Sequence, residues 1–143
     1  MSSLGKTVRL GRIFSHPSGR VLTVAVDHLI NYPTGMPEGL RDLGRTIGEV
    51  VKGAPNAITM NKGAAMRFMP AHTGTVPFIV QQMALRPDAP TFADHATVEE
   101  VVSMGADAIA VAMFLKGEYE MGYIRHLSAV VREAERFGLP VIP

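Results

Sequence analysis

VVSMGADAIAVAMFLKG (residues 101–117) reads as a helix end, a glycine, an apolar strand and a Lys-Gly pair. VVKGAPNAITMNKG (residues 50–63) has the same grammar earlier in the chain. The echo suggests a repeated βα unit, although two such units can also converge on one pattern. Just upstream of the later copy, Thr97-Val-Glu-Glu100 is a capping box. The Thr hydroxyl accepts from the third helical N–H, and Glu100 reaches back to the cap. A helix therefore starts at residue 98 and ends near Gly105, and a strand follows over residues 108–114.

The same reading extends outward in both directions. Residues 21–27 read as the first strand, its β-branched and aliphatic residues running without a break up to Asp27, as in a parallel strand covered on both faces. Leu40, Leu43, Ile47, Val50 and Val51 form a helical stripe that Gly53 can close. Strands are predicted at 57–61 and 76–81, with a short helix over 63–68 between them. Met121, Ile124, Leu127, Val131 and Ala134 predict a long amphipathic helix closed by Gly138, and LPVIP (residues 139–143) begins a fifth strand. The order β-α-β-α-β-α-β-α-β demands a parallel sheet with right-handed crossovers. Two architectures fit: a doubly wound open sheet or a (β/α)8 barrel.

Composition agrees with an ordinary globular domain spanning residues 1–143. The chain is 47% hydrophobic and 19% charged, with a formal net charge of +1. Lys and Arg are scattered, so no basic patch for nucleic acid is expected. There is no cysteine, which removes disulfides and thiolate chemistry and is compatible with a reducing cytoplasm. The first residues, MSSLGKTVRLGRIF, lack the apolar core of a secretory signal. The longest apolar run, AIAVAMFL, is too short to span a bilayer, so no membrane association is expected.

Strand parity sorts the side chains. Thr23, Ala25 and Asp27 share one face, as do Ala57, Thr59 and Asn61, and Ala108, Ala110 and Ala112. The opposite faces are bulky and suit packing on helices. Barrel interiors are more often filled by branched residues, so small residues there either leave room for a pocket or mean that the faces are reversed. Asp27 and Asn61 end their strands on the small face, where parallel α/β proteins bind ligands. Asp27 could hold a substrate hydroxyl or move a proton, or it could cap the following turn. His28 by parity turns away toward the rim, as a substrate contact or a loop histidine. Lys62 and Lys116 could bind phosphate or form a Schiff base, or lie solvated on the surface. Asp94-His95, His72 and His126 raise a metal site, but their spacings match no zinc motif, and no metal is expected.

These residues resemble the DeoC/FbaB-type class I aldolases, in particular the archaeal-type fructose-bisphosphate aldolase branch. The likeness is carried by RLGRIF (residues 9–14), VDH (26–28), GMPEGLRDL (35–43), the Lys62-Gly63 pair, TVEEVVSMGADAIAV (97–111) and GEYEMGYIRHLSAVVREAERFGLPVIP (117–143). It implies a (β/α)8 barrel and reversible aldol chemistry on a phosphorylated sugar through a lysine Schiff base. It further implies no metal or other cofactor, and a frequent oligomer. Asp27 aligns with the family's strand-one Asp, a substrate contact near the reacting carbons, and His28 follows more loosely. Catalysis is thus assigned to Asp27, and substrate binding to Asp27, His28, Asn61 and Lys62.

The sequence departs from the family at Leu29, where a glycine is usual, and in a longer loop with Asn31, Tyr32 and Pro33. That loop is the expected seat of specificity. The family's acid/base Tyr on strand five, Schiff-base Lys on strand six and phosphate cradle after strands seven and eight have no counterpart in these 143 residues. A barrel of this class runs to about 250 residues. The chain is therefore expected to be the first four βα units and the start of strand five: a fragment, a truncated product or one piece of a complemented barrel. Alone it is expected to be inactive. Its expected partners are a sugar phosphate and either copies of itself or a complementing half-barrel. The rival readings are a non-catalytic half-barrel acting through assembly, and a transaldolase or thiolase on a phosphorylated ketose.

Overall fold

The computed structural model describes residues 3–28, 35–84 and 93–143. Helix α1 (Leu4–Ile13) comes first, with the Ser3 hydroxyl accepting from the Lys6 N–H at 3.3 Å. Strand β1 (Thr23–Ala25) follows, then α2 (Leu43–Lys52), β2 (Ala57–Asn61), α3 (Lys62–Phe68) and β3 (Phe78–Gln81). A short antiparallel ribbon, β4 (Met83–Ala84) with β5 (Ala93–Asp94), precedes α4 (Val98–Ser103). Strand β6 (Ala108–Ala110), the long α5 (Glu120–Phe137) and β7 (Val141–Ile142) complete the order.

The main sheet runs β1-β2-β3-β6-β7, every pair parallel. Its spatial order is its chain order. A doubly wound sheet reverses at a switch point, and this one does not, so the barrel is the architecture that fits. The second strand has its expected bounds, Ala57–Asn61, and the others are shorter than their apolar runs. The first pairs fully only over Thr23–Ala25, although the Val26 N–H still reaches Thr59 O at 2.8 Å. The third begins at Phe78, after Pro77, which has no N–H to give a ladder. The fourth ends at Ala110, with one further bond from the Val111 N–H to Ile142 O.

Within the paired strands the faces fall as parity expects, but Ala112, expected inward with Ala108 and Ala110, lies past the end of β6 and packs against the outer core. Val26, Ile58, Met60, Val80, Ile109 and Val111 lie in the core shared with the helices, against Ile47, Val98, Val101, Tyr123 and Val130. The stripe of α5 is shifted from the expected one. Tyr123, Leu127, Val130 and Ala134 face the core, while Met121 and Val131 are exposed. Tyr123 meets Phe114 edge-on at 6.2 Å, which helps set that rotation.

On the inner face a second small cluster joins Ala57, Ile79 and Ala108 to Ile13 of α1. Ala57 and Ala108 are small where the end of a helix lies against them. Helix α1 was not foreseen, since its apolar residues Leu4 and Val8 face solvent. It is held largely by charge. Arg9 donates to Ala106 O and Gly138 O, Arg12 pairs with the buried Asp107 at 3.2 Å, and Lys6 pairs with Glu135. Gly138 closes α5 at φ 60°, and a side chain there would collide with Ser3. Among the described residues, no helix is long and apolar enough to cross a membrane.

Candidate functional site

The carboxyl ends of β1, β2 and β3 bring together Asp27, Asn61 and Gln81. Pairing of β1 with β2 stops at Ala25–Thr59. Past that point a side chain continues the ladder: Asn61 Nδ2 donates to the Asp27 carbonyl at 3.0 Å. Asn61 is buried, so this bond fixes the main chain that carries Asp27. Gln81 pairs in register with Asn61 on the next strand, and its Nε2 donates to Met83 O at 3.1 Å.

The Asp27 side chain is 17% exposed, and its Oδ1 lies 3.8 Å from His28 Nδ1. His28 therefore does not turn fully away. The paired strand has ended at Ala25 and His28 sits in a turn, so strand parity no longer governs it. The loop that departs from the family, Leu29 with Asn31, Tyr32 and Pro33, lies outside the described residues.

Lys62 is adjacent in sequence but points elsewhere. It opens α3, and its Nζ donates to Glu100 Oε1 at 2.5 Å. Glu100 Oε2 accepts the Thr97 N–H at 2.9 Å, and Thr97 Oγ1 accepts the Glu100 N–H at 3.2 Å. The capping box is formed as read, and its carboxylate also holds the lysine. The Lys62 hydrogen bond first, then the Thr97 N–H, hold the Glu100 carboxyl below its ordinary range. Lys116 lies in an exposed loop at φ 62°, with its N–H on Glu120 Oε2.

The second Asp-His pair serves the scaffold. His126 Nε2 on α5 lies 2.8 Å from Gln82 Oε1 and 3.4 Å from Asp94 Oδ1, tying the helix to the ribbon. The His95 N–H donates to Gln82 O. Among the described residues, no three His, Cys, Asp or Glu side chains gather as a metal site. His72 is remote, lining a cavity of about 890 Å³ with Pro77, Met104 and Asp107 at the amino ends of β3 and β6. Ligands of parallel barrels bind at the other end, so that cavity is set apart from the candidate site. Gln81 and Gln82 carry no sequence signal as strong as that of Asp27. Parity extended to residue 81 would have placed Gln81 beside Asn61.

A family model described as DeoC/LacD family aldolase matches residues 21–142. The 2-amino-3,7-dideoxy-D-threo-hept-6-ulosonate synthase of Halobacterium salinarum is 35% identical over 145 residues, covering 99% of this chain and 53% of the relative. The class 1 fructose-bisphosphate aldolase of Thermoproteus tenax is 26% identical, covering 95% and 52%. A solved Schiff-base-forming fructose-1,6-bisphosphate aldolase superposes with a TM-score of 0.77 at 23% identity, over 95% of this chain and 55% of that one. The chain thus spans about half the length of the relatives it matches. Strand order, the inner and outer faces and these likenesses agree: the chain is part of a (β/α)8 barrel and belongs to the DeoC/LacD family of aldolases.

Proposed function

We propose that these residues build one side of a class I aldolase site that forms or cleaves a carbon–carbon bond in a phosphorylated sugar. Fructose bisphosphate and deoxyribose phosphate are the reference substrates. The observation that carries this reading is Asp27, a partly buried carboxylate at the carboxyl-end mouth whose main chain is clamped by Asn61. A carboxylate fixed there can accept the proton of a hydroxyl next to the breaking bond. His28, within 3.8 Å, supplies a second polar contact. Asn61 lines the mouth. Lys62, held by Glu100, serves the site as a strut between α3 and α4.

We also propose that the 143 residues alone do not turn over substrate. Among the described lysines, Lys62 is engaged and Lys116 is in an exposed loop, so neither is offered to the mouth as a Schiff-base amine. Sugar phosphates are charged metabolites of the cytoplasm, and that location goes with the reading.

Borohydride trapping tests both statements. With dihydroxyacetone phosphate or glyceraldehyde phosphate, this chain should give no adduct, and an adduct on Lys62 or Lys116 would overturn its inactivity. Fused to the second half of the Halobacterium salinarum relative, the chain should give an adduct and aldol turnover. Asp27→Ala in that chimera should lower kcat/KM about 100-fold. A folded chimera that forms no adduct removes the aldolase reading.

A second reading rests on the sheet edges. Among the described residues, strands β1 and β7 each pair on one side only, and Leu22 and Ile142 at these edges are exposed. Unpaired edges invite pairing with another chain, so assembly with a copy or a complementary half is the rival role. Light scattering on a size-exclusion column decides it: a compact monomer excludes self-assembly.

A further inference from the structure

Two amides at the mouth have their polarity settled by the backbone. Asn61 and Gln81 are register partners on neighbouring strands, so their side chains leave the same face about 5 Å apart. Both residues are buried, at 9% and 5% exposure. Each side-chain nitrogen is committed to a main-chain carbonyl, of Asp27 and Met83 respectively. A carbonyl oxygen only accepts, so each amide must present its nitrogen to the backbone and turn its oxygen away. The usual ambiguity of amide flips is removed. Among the described residues no donor reaches either amide oxygen. Nor is either among the side-chain atoms sealed from solvent without a partner. The Asp27 carboxylate adds further acceptors at the same mouth, and the Lys62 ammonium is drawn off to Glu100.

We infer that Asn61 Oδ1 and Gln81 Oε1 form a rigid two-acceptor shelf beside Asp27 that receives the hydroxyl groups of a sugar-like ligand and not its phosphate. A hydroxyl donates, and two fixed acceptors satisfy a pair of them. A phosphate monoester dianion brings only acceptors and meets a neighbouring carboxylate. A site built to hydrogen-bond a hydroxyl also rejects an analogue that lacks it, because its buried polar groups are then left unpaired. The inference rests on the proposed aldolase reading only for naming the hydroxylated ligand a sugar phosphate.

Side-chain amide signals in nitrogen-15 NMR of the chain provide the test, with dihydroxyacetone, dihydroxyacetone phosphate and the methyl phosphate dianion as probes. The Asn61 and Gln81 signals should move with both hydroxyl-bearing probes and stay still with methyl phosphate. Gln81→Met should weaken dihydroxyacetone phosphate binding about tenfold. Signals that ignore the hydroxyl probes, signals that follow methyl phosphate, or an unchanged affinity in folded Gln81→Met each overturn the shelf. The titration of the unaltered chain needs no variant, so it decides the matter even if Gln81→Met fails to fold. Moving signals with no borohydride adduct on the chimera remove the aldolase reading and keep the shelf. An adduct with unmoved signals does the reverse.

Discussion

Asn61 shows how one side chain can extend a sheet past its last rung. The Asp27 carbonyl has left the ladder, and the Asn61 amide is the donor that reaches it. Asn61→Ala removes that bond and leaves a partly buried carbonyl short of a partner, at a cost of about 1–2 kcal/mol. The urea midpoint should fall accordingly, and amide exchange should quicken at Asp27 and His28 while the β2–β3 rungs keep their protection. Uniform quickening would mean that Asn61 supports the whole sheet rather than one carbonyl. Asp27 and Asn61 were legible in the sequence because each closes an alternating run on its small face, although the paired part of β1 stops at Ala25. Lys62 was not. A helix begins at that residue, which cancels strand parity, and its partner Glu100 lies 38 positions away.

Single elements were legible in proportion to how much of their stability is local. The α4 cap was readable because Thr97 and Glu100 satisfy each other within one turn. The ribbon of β4 and β5 was not, since each strand has two residues and no periodicity to display. Helix α1 was missed because its hold on the barrel comes from Lys6, Arg9 and Arg12 on distant groups, not from an apolar stripe. The cap also carries a pH dependence. Lys62 and the Thr97 N–H depress the Glu100 pKa in the folded chain. A depressed carboxyl stabilises the fold above its unfolded pKa, and that contribution is lost as pH falls through the lower folded value. The melting temperature should therefore drop as pH falls below the ordinary carboxyl range, about 4. In Glu100→Gln the neutral-pH melting temperature should be lower and this part of the acid slope flatter. Identical acid slopes in the two proteins would show that the Lys62–Glu100 contact contributes nothing to stability in solution.

At the scale of the whole molecule, the sheet has two unlike faces and each is closed differently. The outer face is sealed by α2, α4 and α5 through large aliphatic side chains, a pattern readable from helical periodicity. The inner face is lined by Ala57, Ile79 and Ala108 at its amino end and is sealed by the end of a single helix. That closure depends on Ile13, which is buried to 3% exposure, whereas Leu4 at the start of the same helix is 80% exposed. If α1 is a cover for the barrel floor, truncating its two ends must have unequal effects. Ile13→Ala opens a cavity against residues too small to collapse into it, which costs about 2–4 kcal/mol. Leu4→Ala changes an exposed position, and its effect should stay within about 0.5 kcal/mol. Urea denaturation of the two variants measures the difference. Equal and small effects would mean that α1 is not docked in solution, and that the small inner residues need another reason than the helix end lying against them.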